Sequence, residues 1–232
     1  MKPKAIIFDA GPVISLAINN LLWVLEELKK RFKGEFYITE NVRKEIVVKP
    51  IKGKRFKFEA IQVQRLIDLG ILTVIKDKKI KHKADQLIDL ANKTFYVHSH
   101  PMQTFHGGEM ETLAAAIELG INIIVVDERV TRMIIEKPGH LEKRLEKKMH
   151  ADVKVDKNRL RKFHELVSHL QLIRSIELVS VAFEMDLLDR YLVNIPNARK
   201  ELLDSLLWAI KLNGCSVTDD EIRDIEKELI KK

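Results

Sequence analysis

Ala5-Ile6-Ile7-Phe8-Asp9 is an unbroken apolar run that halts on a carboxylate. Four apolar residues without polar alternation suit a strand covered on both faces, as in a parallel sheet. The same device returns at Ile123-Ile124-Val125-Val126-Asp127. Around these two runs the spacing predicts helices. One passes through Ile14, Ile18, Leu21, Leu22, Leu25 and Leu28 after a break at Gly11-Pro12. A short one follows Tyr37-Ile38, with Thr39 as its N-cap, and runs through Val42 to Val47. Others are expected over roughly 58–69 (ending at Gly70), near 81–92, and from Glu109 to Gly120. Ile71-Leu72-Thr73-Val74-Ile75 predicts a further strand, and residues 94–108 read as a loop. The tail from about 175 to 231 reads as helix, divided near Ile195-Pro196 and Asn213-Gly214. Strands alternating with helices predict an α/β sandwich around a mostly parallel sheet.

The chain has 232 residues, of which 46% are hydrophobic and 32% charged. That supports one sizeable core, a single domain over 1–232 with a charged insertion at about 130–170 and a helical extension at about 196–232. Lys, Glu and Ile recur throughout, a bias common in proteins from hot environments. The net charge of +7 permits a polyanionic partner and equally suits a solvated lysine-rich surface. A single cysteine, Cys215, excludes an internal disulfide framework and a cysteine zinc site, and reads as a small core residue. No apolar run approaches the roughly 20 residues of a membrane span. Met1-Lys2-Pro3-Lys4 leads directly into a strand without a signal-peptide pattern, so a cytosolic protein is expected.

In open parallel sheets, sites gather beyond the carboxyl ends of the strands. Two aspartates brought together there repel each other, which raises a pKa or recruits a cation. Mg²⁺ and Mn²⁺ prefer such oxygen ligands. Either aspartate alone also serves as a cap after a strand. A third acid comes from His106-Gly107-Gly108-Glu109-Met110-Glu111-Thr112-Leu113-Ala114. With about 100° per residue, Met110, Leu113, Ala114 and Ile117 form an apolar stripe flanked by Glu109, while Glu111 points away. Glu109 is therefore the expected ligand and Glu111 a neighbour. Glu45 lies between core positions Val42 and Ile46, where a carboxylate needs a partner, although Lys49 at i+4 is an ordinary one. His98, His100 and His106 precede Glu109 and could bind zinc, but their spacing in a loop is irregular.

Taken in order, Ile6-Ile7-Phe8-Asp9-Ala10-Gly11-Pro12-Val13-Ile14, Val42-Arg43-Lys44-Glu45-Ile46, Gly108-Glu109-Met110-Glu111-Thr112-Leu113-Ala114 and Ile124-Val125-Val126-Asp127 resemble the PIN domain. This is the fold of VapC-like toxin ribonucleases and related archaeal nucleases. The resemblance implies a three-layer α/β/α sandwich in which Asp9, Glu45, Glu109 and Asp127 are catalytic. It also implies a Mg²⁺ or Mn²⁺ ion on Asp9, Glu109 and Asp127, with Glu111 as a further ligand candidate. In the stretch Ile173 to Val179, Ser175 matches a small or hydroxyl residue near the metal. The implied activity is hydrolysis of RNA phosphodiesters, in a toxin restrained by an antitoxin protein or in a related nuclease. A catalytically weak module that binds RNA or protein is the alternative.

Two departures stand out. Gly11-Pro12 occupies a loop where many members carry a second acid or hydroxyl, and a charged stretch lengthens the link after Asp127. Between Arg129 and Lys162 that stretch has 12 basic and five acidic residues, an excess equal to that of the whole chain. Arg129, Lys143, Arg144, Lys147 and Lys148 are its candidate RNA contacts. The stripe Leu202, Leu203, Leu206, Leu207 and Ile210 reads as packing, with a homodimer surface as a further role.

Overall fold

The structure is a computed structural model that describes residues 4–231; the N-terminal Met1-Lys2-Pro3 and the last residue lie outside the described residues. The first half of the chain forms β1 (Ala5–Phe8), α1 (Ala10–Ile18), α2 (Trp23–Phe32), β2 (Glu35–Thr39) and α3 (Glu40–Arg43). A π-helical turn (Lys44–Val48) then leads into α4 (Lys49–Lys52), α5 (Lys57–Asp68), β3 (Thr73–Ile75) and α6 (Lys78–Asn92). Next come β4 (Phe95–Val97), β5 (His100–Pro101), α7 (Gly107–Leu119) and β6 (Ile123–Val125). The charged stretch forms α8 (Arg129–Glu136), α9 (Pro138–Met149), β7 (Lys154–Val155) and α10 (Lys157–Val167). The chain continues as β8 (Gln171–Ile173), α11 (Ser175–Glu184), a 3₁₀ turn (Leu187–Tyr191), α12 (Ala198–Leu212) and α13 (Asp219–Ile230).

Five strands make one parallel sheet in the order β3-β2-β1-β6-β8. The register pairs Ile6 with Ile123 and Phe8 with Val125. Alternate residues of β1 enter different cores, which is why the run has no polar positions. Ile6 and Phe8 pack with α1, α2, α5, α11 and α12, whereas Ala5 and Ile7 pack with α6, α7, α8, α9 and α10. The molecule is thus a three-layer α/β/α sandwich. β1 is the point where the strand order reverses, the place where open α/β sheets form a crevice.

Two local expectations are corrected. Gly11-Pro12 is not a break, because α1 already begins at Ala10 and carries both residues in its first turn. Proline fits there because the first turn needs no intrahelical N–H donor and the ring presets a helical φ. Residues 94–108 are not all loop. β4 and β5 form a hairpin across His98 (φ 48°) and Ser99 (φ 67°), and β7 from the charged stretch adds on the other side of β4. Two consecutive positive φ angles match the twist of a tight hairpin. The charged stretch is anchored as well as solvated, with Leu141, Leu145, Val153 and Phe163 buried in the second core.

At the C-terminal end, Leu203, Leu207 and Ile210 of α12 are buried in the first core, and Leu202 and Leu206 pack against it. Among the described residues no helix is long and apolar enough to cross a membrane.

Candidate metal centre

β1 and β6 are neighbours, so the residues after them, Asp9 and Asp127, leave the sheet side by side at its switch point. The Asp9 amide donates to the Val125 carbonyl (2.9 Å), which extends the ladder to the acid itself. Asp9 stands at the N-cap position of α1, yet its side chain makes no capping bond. Instead, the Thr112 hydroxyl of α7 donates to Asp9 Oδ1 at 3.4 Å. Asp9 is 7% exposed and Asp127 3% exposed. Burial is the main reason that the Asp9 carboxyl is pushed up to about 6; the Ala10 amide and Thr112 oppose the shift, and the negative charges of Glu45 and Asp127 add to it.

Glu109 lies in the first turn of α7, where the helix dipole favours an anion. It accepts a hydrogen bond from the Thr131 hydroxyl of α8. Its carboxyl is pushed up to about 7, first by burial and then by the charges of Glu128, Asp9 and Glu45. Glu45 sits in the π-helical turn, a form often found at functional sites. A β-carbon placed on Gly108 would lie 3.6 Å from Glu45 Oε2, so this carboxylate reaches the opening turn of α7. The groups acting most strongly on Asp9 and Glu109 include no cation.

Asp127 is held differently. Its Oδ1 accepts the Ser175 amide (2.8 Å) and its Oδ2 the Ser175 hydroxyl (2.7 Å), so it caps α11 from across the sheet. Burial raises its pKa, opposed by the Ser175 amide and hydroxyl and by the Cys215 thiol. Cys215 is buried as expected, but against this acid, and burial pushes the thiol up to about 12. The C-terminal segment braces the same corner. Arg174 binds Glu177, Glu221 (3.0 Å) and the Ser216 carbonyl (3.1 Å), while the Ser216 amide donates to the Asp127 carbonyl (3.2 Å). Replacing Ser175 with Ala leaves Asp127 Oδ2 short of a buried donor, at a cost of about 1–3 kcal/mol. A thermal melt is expected to shift down by several degrees.

The remaining candidates stand apart. Glu111 accepts from the amide (3.3 Å) and side chain of Asn41, and lines a cleft of about 610 Å³ with Lys44, Lys78 and Lys81. It is not among the leading influences on Asp9 or Glu109. Arg129 opens α8 two residues beyond Asp127, and Lys143, Arg144, Lys147 and Lys148 are exposed on α9. A cleft of about 780 Å³ near Phe183, Arg199 and Leu229 contains none of the acids. Thr112, Thr131, Glu128 and Arg174 were not visible as site residues in the sequence, since single hydroxyls and charges next to an acid carry no pattern of their own.

The sheet thus gathers its acids where the strand order reverses. A PIN-domain family model matches residues 5–139, and the chain belongs to that family, whose members are generally nucleases. No curated protein and no solved structure matches the chain. The matched span stops short of β8 and α11, which supply the Ser175 bonds to Asp127.

The family generally uses a divalent metal. The donors here, carboxylates and threonine hydroxyls, are hard oxygens of the type that suits Mg²⁺ or Mn²⁺. Among the described residues no three His, Cys, Asp or Glu side chains form a ready-made cage.

Proposed function

We propose that the chain is a metal-dependent endoribonuclease whose Mg²⁺ or Mn²⁺ is held by Asp9, Glu109 and Asp127, with Glu45 completing the acidic set. The observation that carries this reading is the pair of carboxyls at about 6 and about 7, Asp9 buried and Glu109 half-buried at the switch point, without a cation among their leading partners. Such unbalanced negative charge is costly in a purely structural role and useful in holding a cation. When bound, the ion supplies charge neutralisation at the phosphate and acidifies a water for hydrolysis.

The protein's own residues set the conditions. Asp9 and Glu109 must lose their protons to serve as ligands, so metal affinity rises as pH passes through about 6 to 7. Thr112, Thr131 and Ser175 orient the carboxylates through their hydroxyls, as outer partners commonly do. Labelled single-stranded RNAs incubated with Mn²⁺ or with EDTA test the reading directly, with cuts expected only in Mn²⁺. Intact RNA across a broad panel would instead favour a binding module.

The charged stretch from Arg129 to Lys162 forms a basic arm whose role is to grip RNA backbone. Deleting it would also remove the buried Leu141, Leu145 and Val153 and the β7 pairing, so charge substitutions are the cleaner probe. Changing Lys143, Arg144, Lys147 and Lys148 together to Gln is expected to flatten the dependence of log affinity on log salt by about 2–3. An unaltered slope returns α9 to a solvated surface.

A further inference from the structure

Between Glu45 and Glu59 the chain has no acid and five cations, Lys49, Lys52, Lys54, Arg55 and Lys57, all of them exposed. Among the described residues none of the five has an ion-pair partner, although acids pair with basic groups over much of the remaining surface. Two aromatic rings stand among them. Phe58 is 68% exposed and Phe56 is 39% exposed, which is unusual for side chains that normally supply core. Phe56 occupies the left-handed region (φ 59°), strained for a bulky residue, and the Arg55 guanidinium lies 4.6 Å from the centre of its ring. A purely apolar docking face would not be crowded with unpaired cations, and a purely solvated basic loop would not expose two phenyl rings.

We propose that Lys49–Phe58 is a binding platform for single-stranded nucleic acid, its cations taking backbone phosphates and Phe56 and Phe58 stacking on bases. Cations interleaved with exposed aromatic rings are the combination that holds unpaired strands. Its position gives it a use. α4 continues without interruption from the π-helical turn that carries Glu45, so the platform begins one turn from the acidic pocket. It belongs to the helical layer of α1, α2 and α5, whereas the basic arm on α9 belongs to the opposite layer. A strand crossing the carboxyl edge of the sheet would meet the pocket between the two. Delivery to a cutting site depends on the nuclease reading, but binding itself does not.

The test is fluorescence anisotropy with labelled 12-nucleotide RNA and DNA strands and with a duplex, in the Asp9→Asn protein with EDTA, so that no cleavage occurs. Phe56→Ala combined with Phe58→Ala is expected to weaken single-strand binding roughly tenfold or more, with the salt slope kept and duplex binding unchanged. Lys52→Gln, Lys54→Gln and Arg55→Gln together are expected to lower the slope by about 2. All five positions are exposed, and a thermal melt confirms that the variants are folded. Wild-type affinity and slope in both variants overturn the platform, as does an equal loss of duplex binding in the phenylalanine variant. Cleavage by the wild type with Mn²⁺ is read separately, so a failed platform and a failed nuclease give different results.

Discussion

Replacing Asp9 with Asn is expected to lower Mn²⁺-dependent RNA cleavage by about a hundredfold or more while making the metal-free protein more stable at pH 8. Loss of a ligand should cost at least as much as loss of its outer partners, which is typically 10- to 100-fold. The gain in stability comes from the same burial. Asp9 is held at about 6 against an ordinary 3.8, so its ionised form is disfavoured in the folded state. Removing that charge returns up to roughly 3 kcal/mol at a pH where the carboxyl is ionised. Asn can still accept the hydrogen bond from Thr112 through its own Oδ1. Thermal melts in EDTA and cleavage assays in Mn²⁺ read the two effects independently. A variant that loses activity and stability together would point to a structural aspartate, not a ligand. Asp127→Asn should also lose cleavage, but with the gain from removing a buried charge offset, because Ser175 donates to both oxygens of that carboxylate and an amide NH₂ cannot accept in place of one of them.

The second large effect is the dependence of metal stabilisation on pH. Asp9 and Glu109 have folded values of about 6 and about 7, above the ordinary 3.8 and 4.5. For raised carboxyls, the stabilising contribution of the bound proton is complete below about pH 4 and is lost as pH rises through 6 to 7. The metal-free protein should therefore lose stability over that window, by up to about 3 kcal/mol per acid and less than twice that for the pair, since each charge raises the other. A divalent ion competes with those protons and gains affinity over the same window. The rise in melting temperature caused by Mn²⁺ should be small at pH 5 and several degrees larger at pH 8. An equal rise at both values would show that the ion binds elsewhere.

Much of this was legible in the sequence, for physical reasons. Ala5–Phe8 and Ile123–Val126 are apolar without alternation because both faces of the sheet are covered, and each ends on an acid at the sheet's carboxyl edge. Helical angle separated Glu109, which meets the acidic group, from Glu111, which faces Asn41. Other features had no local signal. The sheet β5-β4-β7 uses strands of two or three residues and a turn of His98 and Ser99 without glycine. Gly11-Pro12 carries the residues of a break but sits where a helix tolerates them. The corner formed by Arg174, Glu177, Glu221 and Ser216 joins parts of the chain more than forty residues apart, so only the folded chain reveals it. The hydroxyls of Thr112 and Thr131 likewise acquire meaning only beside the acids that they bind.

The most direct measurement is an anomalous difference map at the manganese edge from crystals grown with Mn²⁺ at pH 8. The expected result is a peak at the carboxyl ends of β1 and β6, ligated by oxygens of Asp9, Glu109 and Asp127 or Glu45, and absent from Asp9→Asn crystals. A map without density there, or with its only peak among His98, His100 and His106, would contradict the carboxylate metal centre.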